Sequence, residues 1–454
     1  MREKLSFKES LLIGSLLFGL FFGAGNLIFP VELGQRSGDN GILAIIGFLL
    51  SGVGIPVIGV VASALSKSES LYEMALPVSR KYSIFFTCLL YLTIGPFFAI
   101  PRTSTVAFEV GIRAFIGDAN IGFALFIFSA IFFLTALYFS LKPGKLMDYI
   151  GKYMTPIFLG LLSILIIMSI LRPMGPFSTN APIEKYQAQP LFVGLIDGYN
   201  TMDALASLAF AIIIISNIRK LGVQDPKAVA KETLKSGLVC ILGMGFVYSA
   251  LSYMGSTSLG IMSLGENGGL VLSEISRFYL GNAGKILLAS IVTLACLKTG
   301  IGLISACGQM FEEMFPNSLS YNKYVMVFTL VSFGIANLGL DKIIALSIPV
   351  LMFTYPLAIV LIILSLMAPI IDKSPIVYKW AIAFTFLAAI FDFLKALPEL
   401  VNINPLVVSM VNFAKQVLPG FELGFGWVLP ACIGLLLGLI FWKLSEKKRK
   451  EAVL

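Results

Sequence analysis

The residues of this chain that can bind or ionise are few, and apolar sequence surrounds them. Gly19-Leu20-Phe21-Phe22-Gly23-Ala24-Gly25-Asn26 precedes Pro30 in the first long apolar run, and Asp197-Gly198-Tyr199-Asn200-Thr201-Met202-Asp203 stands early in a later one. Glycine and asparagine inside such runs weaken a helix and leave backbone N–H and C=O groups unpaired. In a membrane those groups are tolerated only where they line a cavity or are buried in protein. Free N–H groups at the start of a half-helix, at the positive end of its dipole, attract an anion. Unwound carbonyls accept from an ammonium or hold a metal cation, so a zwitterion such as an amino acid suits both ends at once. Close packing through small residues explains the Gly-Ala-Gly pattern equally well when taken alone. Asp197 suits an interface. Asp203 lies deeper, where an acid faces the protein interior or water; it is either a counter-charge or the N-cap of the half-helix that follows.

Two further places carry charge. Arg102 and Glu109 stand two turns apart in GPFFAIPRTSTVAFEVGI (95–112), which Pro96 and Pro101 kink, and they form either a gate or a structural ion pair. Lys298-Thr299 lies midway along the apolar run 284–315. A lysine at the bilayer centre costs about 2.5–3.5 kcal/mol on insertion scales. Three reasons for its presence stay open: a surrogate for a bound cation, a proton-binding group, or a head that snorkels to the interface.

Nothing else points to catalysis. The absence of histidine excludes His metal sites, His proton relays and a Ser-His-Asp triad. No nucleotide motif such as G-x-x-x-x-G-K-[ST] is present. The five cysteines (Cys88, Cys240, Cys296, Cys307, Cys432) sit in apolar runs without a CxxC pair and suit helix packing. No catalytic residue, metal site or cofactor is expected. The net charge of +8 is scattered through loops and one tail, so no nucleic-acid partner is expected either.

The elements that must position these residues follow from composition. Hydrophobic residues make up 57% of the 454 and charged residues 13%, against about a quarter charged in soluble domains. One soluble core, which stops growing near about 250–300 residues, cannot hold such an excess. Period-2 alternation, the mark of a membrane barrel, is absent, so the chain is an all-α polytopic membrane protein. Runs near the about 20 residues of a spanning helix fall at 8–33, 41–65, 82–112, 120–141, 153–171, 191–217, 236–257, 284–315, 324–340, 343–369, 377–397 and 424–443. With both ends cytoplasmic in the plasma (inner) membrane, the termini and even-numbered loops hold 22 of the 33 Lys and Arg, and the odd-numbered loops nine. The run KLSEKKRK (443–450) then lies beside anionic lipid. The longest loops, 172–190 and 258–283, lie outside, and the turn cluster Gly265-Glu266-Asn267-Gly268-Gly269 folds over the outer mouth. Gly23 and Gly198, 175 positions apart, mark breaks in the first and sixth spans. That is the pattern of two inverted five-helix repeats, 8–171 and 191–369, with a site where the breaks meet at mid-membrane. Spans 11 and 12 (377–443) and a basic tail (444–454) follow.

FGAGNLIFP (22–30), GPFFAIPRTSTVAFEVGI (95–112), DGYNTMDALASLAFAI (197–212) and LACLKTGIGL (294–303), in this order, closely resemble the bacterial branched-chain amino acid:cation symporter family. The resemblance covers nearly the whole chain. It implies the leucine-transporter fold of five plus five inverted helices with two more, and transport of leucine, isoleucine and valine coupled to sodium or protons. It further implies that the amides of Ala24 and Gly25, next to Phe22 and Gly23, meet the substrate carboxylate. Asn26 matches a position that helps hold sodium beside the substrate. Carbonyls around Gly198, Tyr199, Asn200 and Thr201 accept from the ammonium, with Asp203 as counter-charge. The wider fold's second sodium site uses carbonyls near Gly19 and Phe22 and two hydroxyl residues on the eighth helix. This chain departs from it there, with Lys298-Thr299, which favours proton coupling or exchange. A channel would need a continuous polar stripe or ring of charges. A carrier of another small amino acid or a nucleobase is the rival reading.

Overall fold

In a computed structural model, residues 2–116, 120–177, 180–398 and 404–451 are described, and the last three residues of the basic tail lie outside them. Among the described residues regular structure is helical, apart from one isolated backbone bridge between Arg2 and Val223. The long helices are α1 (Phe7–Phe21), α2 (Ala24–Arg36), α3 (Gly38–Leu65), α4 (Arg80–Ile112), α5 (Ile121–Ser140), α6 (Pro143–Leu171), α7 (Pro190–Tyr199), α8 (Asp203–Lys220), α9 (Pro226–Ser258), α10 (Gly268–Met314), α11 (Tyr321–Ala336), α12 (Leu340–Ile371), α13 (Pro375–Lys395) and α14 (Val428–Lys447). Among the described residues nine of these are long and apolar enough to cross a membrane, or eleven spans if each bent pair, α1–α2 and α7–α8, is one span. The expected ninth span falls on α11, whose 16 residues are short of the about 20 that cross a bilayer. Large apolar side chains such as Leu134 (66% exposed), Leu242 (74%) and Ile370 (75%) face outward, as lipid contact requires and water does not favour.

Both expected breaks are present. The axes of α1 and α2 meet at 73° and those of α7 and α8 at 46°. Phe22 leaves helical geometry (ψ 85°), and Gly23 is extended. At the second break Met202 takes a left-handed φ of +65°, a strained conformation for a side chain of that size. The expected kink in the third span is at Gly95, next to Pro96. One expected loop is corrected: 258–283 carries the first turns of α10, because Asn267 caps that helix by accepting from the Gly269 and Leu270 N–H groups. The glycine cluster is thus a helix start, and it is tied to the end of α2 by Arg36 donating to the Glu266 carbonyl (2.9 Å) and Gly265 N–H donating to Gln35 (2.9 Å). Gly281 (φ +57°) bends α10 in a conformation that favours glycine. The cysteines are all free.

Two crossings set where the half-helices lie. Between α2 and α9, a Cβ on Gly34 would stand 2.0 Å from the Ser252 carbonyl oxygen, and one on Gly255 2.0 Å from that of Val31. Between α3 and α7, a Cβ on Gly47 would stand 2.0 Å from the Leu191 carbonyl and one on Gly194 2.0 Å from that of Ala44. Each glycine therefore meets the carbonyl three residues before its partner glycine, in both crossings. Gly198, expected in the substrate site, continues the second contact: its Cβ would meet Ser51 Oγ at 2.0 Å. Small residues give such close backbone approach in membrane helices. Gly255→Ala and Gly194→Ala are expected to cost about 1–3 kcal/mol by overpacking, whereas Gly245→Ala, which meets nothing within 4 Å, is neutral. Thermal unfolding of the detergent-purified protein tests this, and equal melting temperatures for all three variants would discount the crossings.

Candidate functional site

The two breaks face one cavity. Its walls come from α1–α2 (Leu20, Phe21, Gly23, Ala24, Gly25, Asn26), α4 (Ile94, Ala99, Arg102, Thr103), the start of α8 with its preceding turn (Thr201, Met202, Asp203, Ala206, Phe210) and α10 (Thr299, Leu303). Of the residues expected in a site, Gly23, Ala24, Gly25, Asn26, Thr201, Asp203, Arg102 and Thr299 line it; Phe22, Gly198, Tyr199, Asn200, Gly19, Glu109 and Lys298 do not.

Asn26 joins the breaks. Its side-chain oxygen accepts from the Gly23 N–H (2.9 Å), closing the open start of α2. Its side-chain nitrogen donates to Asp203 Oδ2 and to the Tyr248 hydroxyl, which itself donates to Asp203 (3.4 Å). Pro30 has no N–H, so the Asn26 carbonyl also lacks its intrahelical donor. Asp203 is the first residue of α8, and the cap position belongs to Met202. The N-cap alternative for Asp203 is corrected accordingly: its carboxylate points across to α2 and α9 and does not turn back on its own helix.

Before the break the charge is reversed. Lys298 is fully buried, and its Nζ donates to the Phe22 carbonyl (2.9 Å). The rings of Phe158, Phe22 and Phe18 stand 4.1, 5.4 and 5.5 Å from that nitrogen, a distance at which an ammonium is attracted to a ring face. Thr299 donates to the Leu20 carbonyl (3.1 Å). The snorkelling alternative is corrected, since the ammonium is held at the break itself. Gly19 packs where a Cβ would meet Thr155 Oγ1 at 2.2 Å, while the carbonyls taken up by α10 belong to Leu20 and Phe22.

Around the second break, Tyr355 donates to the Tyr199 carbonyl and their rings stack at 4.6 Å. Arg102 Nη1 donates to the Asn200 carbonyl (3.3 Å) and the guanidinium lies over the Phe29 ring (5.3 Å). The expected Arg102–Glu109 pair is not formed. Glu109 pairs with Arg113, one turn away, at 2.6 Å, because two turns separate side chains by about 10 Å along the axis. Tyr248, Tyr355 and Phe158 were not singled out from sequence. A tyrosine inside an apolar helix needs a partner for its hydroxyl, and that signal picks out Tyr248 and Tyr355. Among the described residues no group of three or more His, Cys, Asp or Glu could hold a metal ion.

Asn26→Ala leaves the Gly23 N–H and one Asp203 oxygen short of partners, and about 1–3 kcal/mol is expected for each buried group. Tyr248→Phe removes the bond accepted from Asn26 and the long bond donated to Asp203, but those two groups keep each other as partners, and it is expected to cost about 0.5–1.5 kcal/mol. Thermal unfolding without added ligand ranks the two; the reverse order would remove Asn26 from its joining role.

A family model described as "Branched-chain amino acid transport protein" matches residues 6–445. The chain is 48% identical over 450 residues to the branched-chain amino acid permease BrnQ of Lactobacillus delbrueckii subsp. lactis, covering 99% of this chain and 100% of that protein. It is 41% identical over 442 residues to the branched-chain amino acid permease BraB of Bacillus subtilis (strain 168), covering 97% of each. Among solved structures, Mhp1, a nucleobase-cation-symport-1 family transporter in a closed conformation with bromovinylhydantoin bound, matches with TM-score 0.61 at 15% identity, over 97% of this chain and 93% of that one. The substrate-bound outward-open state of a Na+-coupled sialic acid symporter matches with TM-score 0.65 at 13% identity, over 96% and 90%. At such identities the likeness is one of fold, and the chain shares the helical transporter fold of both.

Proposed function

Since this chain belongs to the branched-chain amino acid transport protein family, we propose that it carries leucine, isoleucine and valine across the plasma membrane by alternating access, coupled to a cation gradient. The cavity at the two breaks supports this reading best. It has polar groups for the ends of an amino acid and an apolar wall, including Leu20, Phe21, Ile94, Phe210 and Leu303, for a branched side chain. The Ala24 and Gly25 amides, at the open start of α2, take the carboxylate. At the second break the carbonyl of Thr201, on the cavity wall, and that of Asn200, next to it in the chain, accept from the ammonium, with Asp203 as counter-charge, while that of Tyr199 is taken by Tyr355. Both termini are cytoplasmic and the spans number twelve, a topology supported by the Lys and Arg distribution. The matched glycine crossings support two inverted five-helix repeats, 8–171 and 191–369, followed by the pair 377–443.

Lys298 is assigned to coupling, with Thr299 beside it. An ammonium at the Phe22 carbonyl excludes sodium from that position by charge and volume, so a proton gradient, or exchange, drives uptake. The Asn26 side-chain oxygen keeps a second lone pair, so sodium beside the substrate is compatible with this assignment.

Counterflow of labelled leucine in proteoliposomes is expected to be competed by isoleucine and valine and not by nucleobases; the opposite ranking would refute the substrate class. Gly25→Leu fills the cavity and is expected to abolish leucine binding while the protein still inserts. Lys298→Thr and Lys298→Ser, assayed under separate sodium and pH gradients, are expected to weaken the pH response and to create or sharpen a sodium response. Wild-type uptake that follows sodium steeply, with an identical Lys298→Thr variant, would leave Lys298 a structural role.

A further inference from the structure

Arg102 and Asp203 line the same cavity from opposite helices, one cationic and one anionic. Among the described residues neither forms an ion pair with the other or with any other charged group. Oppositely charged groups kept apart in one confined space are the complement of a zwitterion, whose two ends carry the reverse charges. Asp203 has its donors in Asn26 and Tyr248. The Arg102 guanidinium carries five N–H donors and, among the described residues, spends one, on the Asn200 carbonyl (3.3 Å). Its plane is steadied over Phe29 (5.3 Å), and a Cβ on Gly25 would stand 3.0 Å from that same ring. The guanidinium thus sits one ring away from the amide assigned to the carboxylate.

We infer that Arg102 is a specificity-determining residue: it supplies a second set of donors to the substrate α-carboxylate, which draws it from the Asn200 carbonyl and frees that oxygen for the substrate ammonium. The guanidinium occupies, at Asn200, an acceptor suited to a cation, and binding exchanges the partners so that no charge is left alone. Arginine suits this because its planar fork meets a carboxylate with two parallel bonds. The inference rests on the amino-acid reading of the cavity. It adds that the cavity selects for a carboxylate as such, against amines and amides of the same side chain.

The test uses the full-length, detergent-purified protein, with ligand affinity read from thermal stabilisation by leucine and by leucinamide, which keeps the amine and side chain but lacks the carboxylate. Arg102→Gln is expected to weaken leucine by about 10- to 100-fold, the range for hydrogen bonds to charged groups, and leucinamide little or not at all. Arg102→Lys keeps the charge and is expected to bind leucine more tightly than Arg102→Gln does. An unchanged leucine affinity in Arg102→Gln, equal losses for both ligands, or an Arg102→Lys no better than Arg102→Gln would each make Arg102 a strut between α4 and the second break and overturn the assignment. If no branched-chain amino acid stabilises the wild type, the proposed substrate class falls and this assignment with it. A wild type that binds leucine separates the two failures.

Discussion

The Asn26 side chain is the contact on which the centre of the molecule turns. A broken helix in a membrane exposes backbone groups that lipid cannot satisfy, and two breaks double the burden. Asn26 answers part of it with one amide group: the oxygen closes the start of α2 at Gly23, and the nitrogen reaches Asp203 at the start of α8. The two half-helices are thereby held at a fixed separation, and the cavity is what remains between them. Tyr248 extends the bond to α9, so the same short network crosses three helices.

The buried charges follow from this arrangement. Lys298 reaches the carbonyl just before the first break, and Asp203 the side chain just after it. Isolated charges at such depth are expensive, but Lys298 meets a backbone carbonyl at the broken helix, and Asp203 meets the side-chain donors of Asn26 and Tyr248. The aromatic faces of Phe18, Phe22 and Phe158 add to the hold on Lys298 without neutralising it.

Legibility in the sequence followed the cost of each residue in its place. The breaks at Gly23 and near Asn200, the kink at Pro96 and the buried Lys298 were all readable, because glycine, asparagine, proline and lysine are unfavourable inside an apolar helix unless something specific receives them. Gly198 was misplaced because a glycine that opens a cavity and one that admits a neighbouring helix look alike in one dimension; only the Ser51 contact separates them. The start of α10 was hidden within a turn-like Gly-Glu-Asn-Gly-Gly segment, since Asn267 suits a loop and a cap equally. Tyr248 and Tyr355 passed as apolar bulk, because their partners lie far along the chain. Glu109 has an arginine on either side of it along the chain, and the one at i+4, Arg113, lies within side-chain reach while Arg102, two turns away, does not. Outside the third span, the wall of the cavity is made of ordinary apolar residues that carry no local sign.

The glycine crossings have a mechanical meaning. Where a side chain separates two helices, rotamer changes let them slide by small amounts. Where a Cα rests on a carbonyl, no rotamer exists to absorb a displacement, so the contact is either kept whole or lost. The half-helices α2 and α7 are mounted in this way on the long helices α9 and α3. Each mounted pair behaves as a stiff lever, and the compliance of the molecule is left to joints made of side chains: the Lys298 and Thr299 contacts of α10 and the Arg102 contact of α4. Those joints hold the charges, so the places where the protein can yield are also the places where a change of charge is felt.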